Sequence, residues 1–528
     1  MPMKWCYKIF QITVLTIAAA LLGWMIVANW QVNLKLHLAI SAWIGAGLFV
    51  LFIGATIGLG SWWLSRHQTS WLVAALMGLT ILKFPLVAGL KIDPTSDFWN
   101  YHTLAAFSAQ GFTWTQLLHH GIVGNYVVFP HALNIANGYS LVAAFGGANF
   151  FVSQLINIGC TLVDMVLIYW LVARWLSRQL GIMAALIFYW IPAYWLYGTL
   201  LNGGEPFFFT SVLLMMYALT RALVPLTTTT ITDRRLYLAL AIVMTVVANM
   251  LRPIMGVWLI ALGLMSLCVL LKSHHLYRVQ VRQLLIYSAV VLGLMFTATN
   301  LDSWLYGFKV APAQVETLYS LATGTDVKSH GTYSPALQAT VSHELRVAPT
   351  LTQAYPRITR TMARTLQTNL KQIKPQLGSF VNEKMQGFIR EDYGYDWSLY
   401  NLSHHPGLLN RHWFYLAPIL ITSATVYWQA MLVIALFSVL MGLGLLWHRH
   451  YLNRYLLMGA LLLDGCTLSA LPLEVQGRYH IILYLPILML MTCGIAGAKL
   501  WWRQIKQSWW QGPCQNQCPN GLLAFEAH

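Results

Sequence analysis

Charged side chains are scarce in this sequence. Only 9% of its 528 residues are Asp, Glu, Lys or Arg, whereas 58% are apolar; an average soluble domain has about 25% charged residues. A soluble fold of this length would have too few charged groups to cover its surface, and a disordered chain would contain far fewer apolar residues. The sequence therefore excludes a soluble enzyme and a disordered protein, and indicates an integral membrane protein.

Motifs for nucleotide and zinc chemistry are also missing. The chain contains no G-x-x-x-x-G-K loop and no H-E-x-x-H pair, which disfavours a P-loop ATPase and a zincin protease. With seven Cys in 528 residues, a secreted disulfide scaffold is excluded. Cys514 and Cys518 lack zinc-finger spacing and a second pair of ligands, so a loose reduced tail is favoured over a metal site there.

Long apolar runs dominate instead. A transmembrane helix needs about 20 mostly apolar residues. Twelve segments are predicted to span the membrane: 9–28, 42–64, 71–90, 149–172, 182–201, 206–222, 236–251, 254–271, 284–301, 425–447, 455–472 and 480–499. Only Asn202-Gly203-Gly204-Glu205 separates 182–201 from 206–222, so this pair is either two spans or a re-entrant hairpin. The predicted fold class is an all-α integral membrane protein, a bundle of about 12 transmembrane helices.

Membrane orientation explains the excess of basic residues. With the N-terminus inside, sixteen Lys and Arg but two acidic residues lie on the inner segments and adjoining helix ends, whereas the outer segments hold fifteen basic and twelve acidic residues. Inner loops of membrane proteins are enriched in Lys and Arg, which also attract anionic lipid. The net charge of +16 thus predicts contact with membrane lipid, gives no support to nucleic-acid binding and places both termini in the cytoplasm.

This topology divides the chain into six parts. They are N-terminal transmembrane helices at 1–90, a first large extracytoplasmic loop at 91–148, a transmembrane core at 149–301, an extracytoplasmic helical cap at 302–424, C-terminal transmembrane helices at 425–499 and a cytoplasmic tail at 500–528. The cap holds 19 of the 48 charged residues, and Ser334-Pro335 within it is typical of a helix start. Neither outer segment contains Cys, which points to a bacterial plasma membrane.

The first loop carries the leading candidate for chemistry. Ionisable groups at the rim of a membrane are costly and by default indicate function. Asp97 lies in the stretch Lys91-Ile-Asp93-Pro-Thr-Ser-Asp97-Phe-Trp-Asn-Tyr101-His102, directly after a span, where a carboxylate can accept a proton from a hydroxyl group. The structural alternative places Asp97 in the first turn of a helix capped by Thr95 or Ser96, where a negative charge is favoured. The two interpretations are compatible.

Two further outer motifs contain polar groups. The first is Asn125-Tyr-Val-Val-Phe129-Pro130-His131, an aromatic turn that would suit a sugar or a prenyl chain; its alternative is a proline turn with a locally bonded His131. The second is Asn202-Gly-Gly-Glu205-Pro206, whose glycines allow close approach of the backbone. Its alternative is a tight turn with Glu205 in water.

Outer arginines supply candidate phosphate ligands. Arg252 follows one span, and Glu474-Val-Gln476-Gly-Arg478-Tyr479 precedes the last one. Arginine binds phosphate through paired donors and stays charged, so Arg252, Arg478 and Lys91 together would hold the phosphate of a lipid-linked donor. The alternative for each arginine is snorkelling or a salt bridge with Glu205 or Glu474.

Two acids lie inside predicted spans. Asp164 and Asp464 would suit the pathway of a proton-coupled transporter. Structural pairing with polar neighbours in the bundle is the alternative, and neither acid has a second acid at helical spacing.

The order of these motifs resembles a known superfamily. An acid-bearing outer loop, many spans, outer arginines and a late Gln476-Gly-Arg478-Tyr479 before the last span are similar to the GT-C glycosyltransferases, in particular the membrane mannosyltransferase and aminoarabinose-transferase-like group. The resemblance covers most of 70–500. The chain departs from the group in having Phe98, and not a second acid, after Asp97, and two extra spans before this loop.

The resemblance implies a GT-C-like bundle, a donor and a set of roles. The donor would be a polyprenyl-phosphate-linked sugar, and the acceptor a hydroxyl group on a glycan, a glycolipid or a protein. Asp97 would be the catalytic base, and Arg252, Arg478 and Lys91 would bind the donor phosphate. The residues that would position the substrates are Tyr101, His102, His131, Glu205, Glu474 and Tyr479. The resemblance identifies no particular cofactor, and it leaves a divalent metal open.

Two rival functions belong to other classes. One is a transporter or flippase of lipid-linked sugars, with Asp164 and Asp464 in its pathway. The other is a structural membrane protein that uses the segment 302–424 to bind a partner. A transferase would release free polyprenyl phosphate, whereas a flippase would move the lipid-linked sugar unchanged.

Overall fold

The computed structural model describes residues 2–37, 39–224, 230–272, 278–403, 408–448 and 454–511. These residues fold into α-helices joined by short turns and 3-10 helices. Strands are absent from this part of the chain, and one isolated antiparallel bridge joins Ile92 to Leu402. The prediction of an all-α fold is therefore confirmed for the described residues. Cys514 and Cys518 lie outside them.

Fourteen α-helices lie among the described residues up to position 306. They are α1 (Pro2–Lys35), α2 (Ile40–Arg66), α3 (Thr69–Ile81), α4 (Phe84–Gly89), α5 (Ser96–Ala109), α6 (Trp114–His119), α7 (Pro130–Gly146), α8 (Phe150–Trp175), α9 (Arg178–Tyr189), α10 (Pro192–Leu200), α11 (Glu205–Leu223), α12 (Ile231–Leu251), α13 (Met255–Lys272) and α14 (Arg278–Tyr306). A 3-10 helix at Gly124–Val127 precedes α7.

The second half contains the cap and the last membrane helices. The α-helices are α15 (Ala313–Gly324), α16 (Pro335–Val347), α17 (Leu351–Ile373), α18 (Leu377–Phe388), α19 (Tyr393–Tyr400), α20 (Leu408–Trp413), α21 (Ala417–His448), α22 (Arg454–Ala470) and α23 (Tyr484–Gln511). The 3-10 helices are Lys374–Gln376, Phe414–Leu416 and Gly477–Leu483. The expected helix start at Ser334-Pro335 coincides with the start of α16.

Nine helices among the described residues are long and apolar enough to cross a membrane, and the α9–α10 pair, bent by 65° at its break, adds a tenth if it forms one span. The protein is thus a multi-pass membrane protein. Helices also occur at the remaining predicted spans. However, the part of α13 that counts as an apolar helix, Met255–Leu267, and the helix α22 are both shorter than 18 residues. The number of twelve spans therefore stays a prediction. Because a bent helix pair can be a broken span or a re-entrant loop, both interpretations of the segment 182–201 stay open.

The bundle exposes apolar side chains where a lipid-facing surface needs them. Leu48, Leu51 and Phe52 on α2 are 63–71% exposed, and Phe296 on α14 is 84% exposed. Apolar patches of this kind are rare on soluble monomers. Inside the bundle, a continuous core joins the spans, with Leu15, Met165, Leu213 and Leu432 fully or almost fully buried.

A second hydrophobic core fastens the first loop to the cap. It combines Leu117 and Val128 of the loop with Val341, Ile358 and Met362 of α16 and α17, all at most 1% exposed. The same contact is reinforced by a hydrogen bond from the Ala311 amide to the Val127 carbonyl oxygen, 2.8 Å long. Residues of the segments 91–148 and 302–424 therefore pack together on one side of the bundle.

Candidate functional site

A cavity of about 1250 Å³ lies where the loop, the cap and the helix ends meet. Its lining includes apolar residues, among them Phe208, Ile254, Cys466, Ala470 and Ile482. It also includes charged and polar residues, among them Asp97, Tyr126, His131, Glu316, Tyr319 and Arg390. The cavity is therefore suited to a ligand with both an apolar and a polar part.

Asp97 reaches this cavity from the first turn of α5. Its Oδ2 lies 2.7 Å from Nη2 of Arg478, and the Tyr126 hydroxyl donates to its Oδ1 at 3.2 Å. Thr95 holds the N-cap position of α5 without a side-chain cap, because its hydroxyl donates to Asn401 at 2.8 Å. The prediction that Asp97 lies in the first turn of a helix is confirmed. The Thr95 hydroxyl does not cap this helix and instead links the first loop to Asn401 of the segment 302–424.

Arg478 is the buried centre of the site. It lies in the 3-10 helix Gly477–Leu483, and its side chain is only 5% exposed. Its Nε donates to Oε1 of Gln476 at 3.2 Å. Its guanidinium carbon lies 5.3 Å from the centre of the Trp397 ring and 5.7 Å from that of Phe98, distances at which a cation is attracted to an aromatic face.

Glu205 joins the two arginines. Arg252 donates to Oε1 of Glu205, and Nε of Arg478 lies 3.8 Å from the same oxygen. The Tyr197 hydroxyl donates to Oε2. The Glu205 side chain is only 4% exposed, so this buried carboxylate holds the guanidinium groups of Arg252 and Arg478 close together. The salt-bridge alternative for Arg252 is confirmed.

The two glycines before Glu205 are required by this packing. A Cβ atom added to Gly203 would overlap the Tyr197 hydroxyl and the Glu205 carboxylate, and one added to Gly204 would overlap the side chain of Ile135. The backbone thus comes close to Tyr197 and Ile135 because these positions lack a side chain.

Asp97, Glu205, Arg252 and Arg478 form a charge-balanced group, which we call the tetrad. Burial raises the pKa of the Asp97 carboxyl, but the charge and hydrogen bond of Arg478 and the bond from Tyr126 outweigh burial, so the pKa lies below its usual value. Asp97 is therefore ionised at neutral pH. At 35% exposure its side chain is the most accessible of the four, so it can accept a hydrogen bond from a ligand.

Four other predicted site residues line the cavity: Tyr101, His131, Glu474 and Tyr479. His131 Nδ1 lies 2.7 Å from Oε1 of Glu316. Glu474 accepts a bond from Gln476 at 2.9 Å, and burial raises its pKa above the ordinary value. The Tyr479 ring lies 4.7 Å from the guanidinium carbon of Arg252.

Two predicted residues lie away from the cavity lining. Lys91 has an exposed side chain, and its backbone bonds to Asn410 at 3.2 Å and Ser403 at 2.9 Å. His102 packs edge-on against Phe150, with ring centres 5.7 Å apart, and burial lowers its pKa. The structure thus does not bring Lys91 or His102 to the tetrad.

Sequence reasoning missed several partners of the tetrad. Tyr197 and Trp397 are far from Asp97 in the chain, and no motif marks them. Tyr126 belongs to the aromatic turn before Pro130, but nothing in that turn indicated a bond to Asp97. A signal was available in Tyr197, which stands five residues before Asn202, but it is one of 25 tyrosines.

A fully buried pair of His480 and Glu391 supports the Arg478 segment. His480 Nε2 lies 2.6 Å from Oε1 of Glu391, and both side chains are 0% exposed. His480 Nδ1 lies 2.8 Å from the Phe388 carbonyl oxygen, which can only accept. The Tyr484 hydroxyl donates to the same Glu391 oxygen at 3.0 Å. This network fixes the 3-10 helix of Arg478 against the segment that follows α18.

The two intramembrane acids lie outside the cavity lining. Asp164 is 0% exposed; it accepts bonds from Thr210 at 2.6 Å and from Tyr194 at 3.4 Å. This agrees with structural pairing. Asp464 is 7% exposed, and its Oδ1 has no hydrogen-bond partner among the described residues.

Within the residues that the structure describes, no group of three or more His, Cys, Asp or Glu converges in a way that would hold a metal ion.

Comparison of the chain with known protein families, with curated proteins and with solved structures finds no match.

Proposed function

We propose that this protein is a membrane glycosyltransferase of the GT-C type, which moves a sugar from a polyprenyl-phosphate donor to an acceptor hydroxyl group. The observation that carries the proposal is the position of the Asp97–Arg478 pair in a cavity lined by both apolar and charged side chains. A lipid-linked sugar phosphate has the matching chemistry, because its chain is apolar and its headgroup is polar and anionic.

In the proposed reaction, the acceptor hydroxyl attacks the anomeric carbon and its proton passes to Asp97. The bond between that carbon and the phosphate oxygen breaks, and polyprenyl phosphate leaves. Arg252 and Arg478 stabilise the charge that develops on the leaving phosphate. The sugar–phosphate ester is already activated, so the reaction needs no ATP.

The ion pairs of the tetrad determine the order of events in this reaction, with donor binding before proton transfer. Both arginines are neutralised by carboxylates before a donor binds. A phosphate that enters must therefore compete with Asp97 for Arg478. Displacement of Asp97 from Arg478 raises the pKa of the carboxylate, which makes it a stronger base when the donor is in place. Glu205 keeps the two arginines together, and His131, on the cavity wall, contacts the sugar.

We place the cap on the extracytoplasmic side of a bacterial plasma membrane, with both termini in the cytoplasm. The support is the excess of Lys and Arg on the opposite segments. The acceptor is a hydroxyl group on a glycan, a glycolipid or a protein on the cap side.

The test compares cells that lack the protein with cells that carry wild-type protein, Asp97→Asn or Asp93→Asn. Asp93 is an exposed acid in the same loop and serves as the matched control. Lipid extracts and envelope glycans are analysed by mass spectrometry. Deletion should accumulate a polyprenyl-phosphate sugar and remove one sugar from a glycan, and wild type and Asp93→Asn should reverse both changes. Restoration by Asp97→Asn, with equal protein in the membrane, contradicts the proposed base.

A flippase of lipid-linked sugars is the second candidate, and the 65° bend between α9 and α10 favours it, because transporters use broken helices at their substrate sites. Purified protein in vesicles separates the two functions. The transferase consumes the donor that accumulates in the deletion strain and releases polyprenyl phosphate. A flippase carries the same donor across the bilayer without consuming it.

A further inference from the structure

The outer surface of the cap carries a line of unpaired cations. Residues 345–382 contain no Asp or Glu. Five basic residues of this stretch have exposed side chains on α17 and the turn after it: Arg357, Arg360, Arg364, Lys371 and Lys374. We call them the basic stripe. None of the five forms an ion pair with an acid in the described part of the chain.

The helical spacing places these residues on one face. At 3.6 residues per turn, positions 357, 360, 364 and 371 fall within about 60° of each other, and they extend over about 21 Å of helix axis. The opposite face of α17 is buried and contains Ala354, Ile358, Met362 and Asn369. The basic stripe is therefore a straight row of positive charge that points away from the cap interior.

The packing of α17 shows which way the row faces. Asn369 donates to the Ala322 carbonyl oxygen of α15 at 2.9 Å. Glu316 and Tyr319, also on α15, line the cavity. Since α15 lies on the cavity side of α17, the basic stripe is on the face of α17 that points away from the cavity. Of the four other exposed residues between the cations, Gln367, Thr368 and Gln372 are polar and Leu370 is apolar, whereas helices that lie in a membrane surface have a continuous face of Trp, Phe or Leu on the lipid side.

We propose that the basic stripe is a docking surface for a linear, phosphate-bearing polyanion in the water phase on the cap side. A row of Arg and Lys fits phosphate groups repeated along a chain, because each guanidinium can bind a phosphate through two donors. Binding releases the counterions of the polymer and so weakens with salt. The proposal does not rest on the transfer reaction.

The test uses the full-length protein in nanodiscs of uncharged lipid, with fluorescein-labelled inorganic polyphosphate as the probe in anisotropy titrations. The stripe variant is Arg360→Gln, Arg364→Gln and Lys371→Gln. The matched control is Lys309→Gln, Lys328→Gln and Arg411→Gln, which removes three exposed charges from the segment 302–424 outside the stripe. All six positions are exposed, so the unfolding temperatures of both variants should match that of the wild type.

Wild type should bind polyphosphate with an affinity that falls as salt rises. The stripe variant should bind roughly tenfold more weakly, as expected from the loss of three exposed ion pairs, and the control variant should match wild type within about twofold. Equal weakening in both variants, or no saturable binding, overturns the proposal. Stripe-dependent capture of phosphatidylglycerol vesicles without polyphosphate binding also overturns it, because the partner would then be a membrane surface.

Discussion

Asp97 and Arg478 are 381 positions apart in the chain, yet their side chains form an ion pair 2.7 Å long. The pair joins the start of the first loop to the segment before the last helix. Because Arg478 is nearly inaccessible to water, its buried positive charge is stabilised by the carboxylates around it. The energetics of the site can therefore be tested through these carboxylates.

The first prediction concerns pH. The pKa of Asp97 lies below its usual value, because Arg478 and Tyr126 outweigh the opposing effect of burial. A carboxyl whose pKa is lower in the folded state stabilises the fold above its unfolded pKa of about 3.9, and this contribution is lost as pH falls through the folded pKa. Asp97→Asn should thus lower the unfolding temperature at neutral pH and converge with wild type in acid.

Thermal unfolding of the detergent-purified protein, measured at steps from about pH 7 to about pH 3, checks this pH dependence. Asp93→Asn is the control, and it should change stability by less than about 0.5 kcal/mol at neutral pH. A constant difference between Asp97→Asn and wild type across the whole range would contradict the assigned ion pair.

The second prediction concerns Glu205. Its carboxylate is almost fully buried and lies against Arg252 and Arg478. Glu205→Ala should cost about 3–5 kcal/mol, because two buried guanidinium groups lose a shared counterion. Glu383→Ala is the control, since Glu383 pairs with His330 at the surface and its side chain is 45% exposed. Loss of the Glu383–His330 pair should lower the free energy of unfolding by at most about 1 kcal/mol. Chemical unfolding measures both variants, and equal losses for Glu205→Ala and Glu383→Ala would refute the central position of Glu205.

The third prediction concerns Gly203. A methyl group there overlaps Tyr197 and Glu205, so Gly203→Ala should displace the glutamate and destabilise the protein by about 1–3 kcal/mol. Gly378 on α18 provides the matched control, because nothing lies within 4 Å of an added Cβ. Gly378→Ala should leave stability unchanged or raise it by up to about 1 kcal/mol. Equal melting temperatures for the two variants would contradict the packing around Gly203.

The fourth prediction concerns the buried pair of His480 and Glu391. Since Phe388 and Glu391 both present acceptors to the ring, the pair holds a proton between imidazole and carboxylate. His480→Leu should cost about 3–5 kcal/mol, because Glu391 loses its partner in a dry environment. The double variant His480→Leu with Glu391→Leu should recover part of that loss, and a double-mutant cycle of unfolding energies measures the recovery. Strict additivity would exclude the pairing.

Much of the fold was predictable from hydropathy. Every predicted span is helical because about 20 apolar residues have few other stable arrangements in a bilayer, although 71–90 and 182–201 each consist of two consecutive helices. The helices extend past several predicted ends, as in α14, which continues to Tyr306, and α21, which begins at Ala417. The added end of α14 includes the polar Asp302 and Ser303, which lower the local hydropathy, whereas the added start of α21 is largely apolar and the prediction placed its boundary too late.

The site was predictable only in part. Asp97, Glu205, Arg252 and Arg478 were recognised because charge at a membrane rim is costly and thus informative. The pairing of Asp97 with Arg478 was not predicted, since contacts between residues distant in the chain depend on how the helices pack. Lys91 was grouped with the arginines because it directly follows a span on the predicted outer face, but the exposed Lys91 side chain lies outside the cavity lining, and its backbone is tied to Asn410 and Ser403.

The distance between Asp97 and Arg478 along the chain also determines how long after Asp97 the ribosome adds Arg478. Ribosomes add about 5–20 residues per second, so Asp97 leaves the ribosome roughly 20–75 s before Arg478, which follows 381 positions later. Glu205 emerges in between and likewise precedes Arg478. Neither carboxylate can therefore pair with Arg478 until the segment before the last membrane helix has been synthesised, so the tetrad forms late in the assembly of the protein.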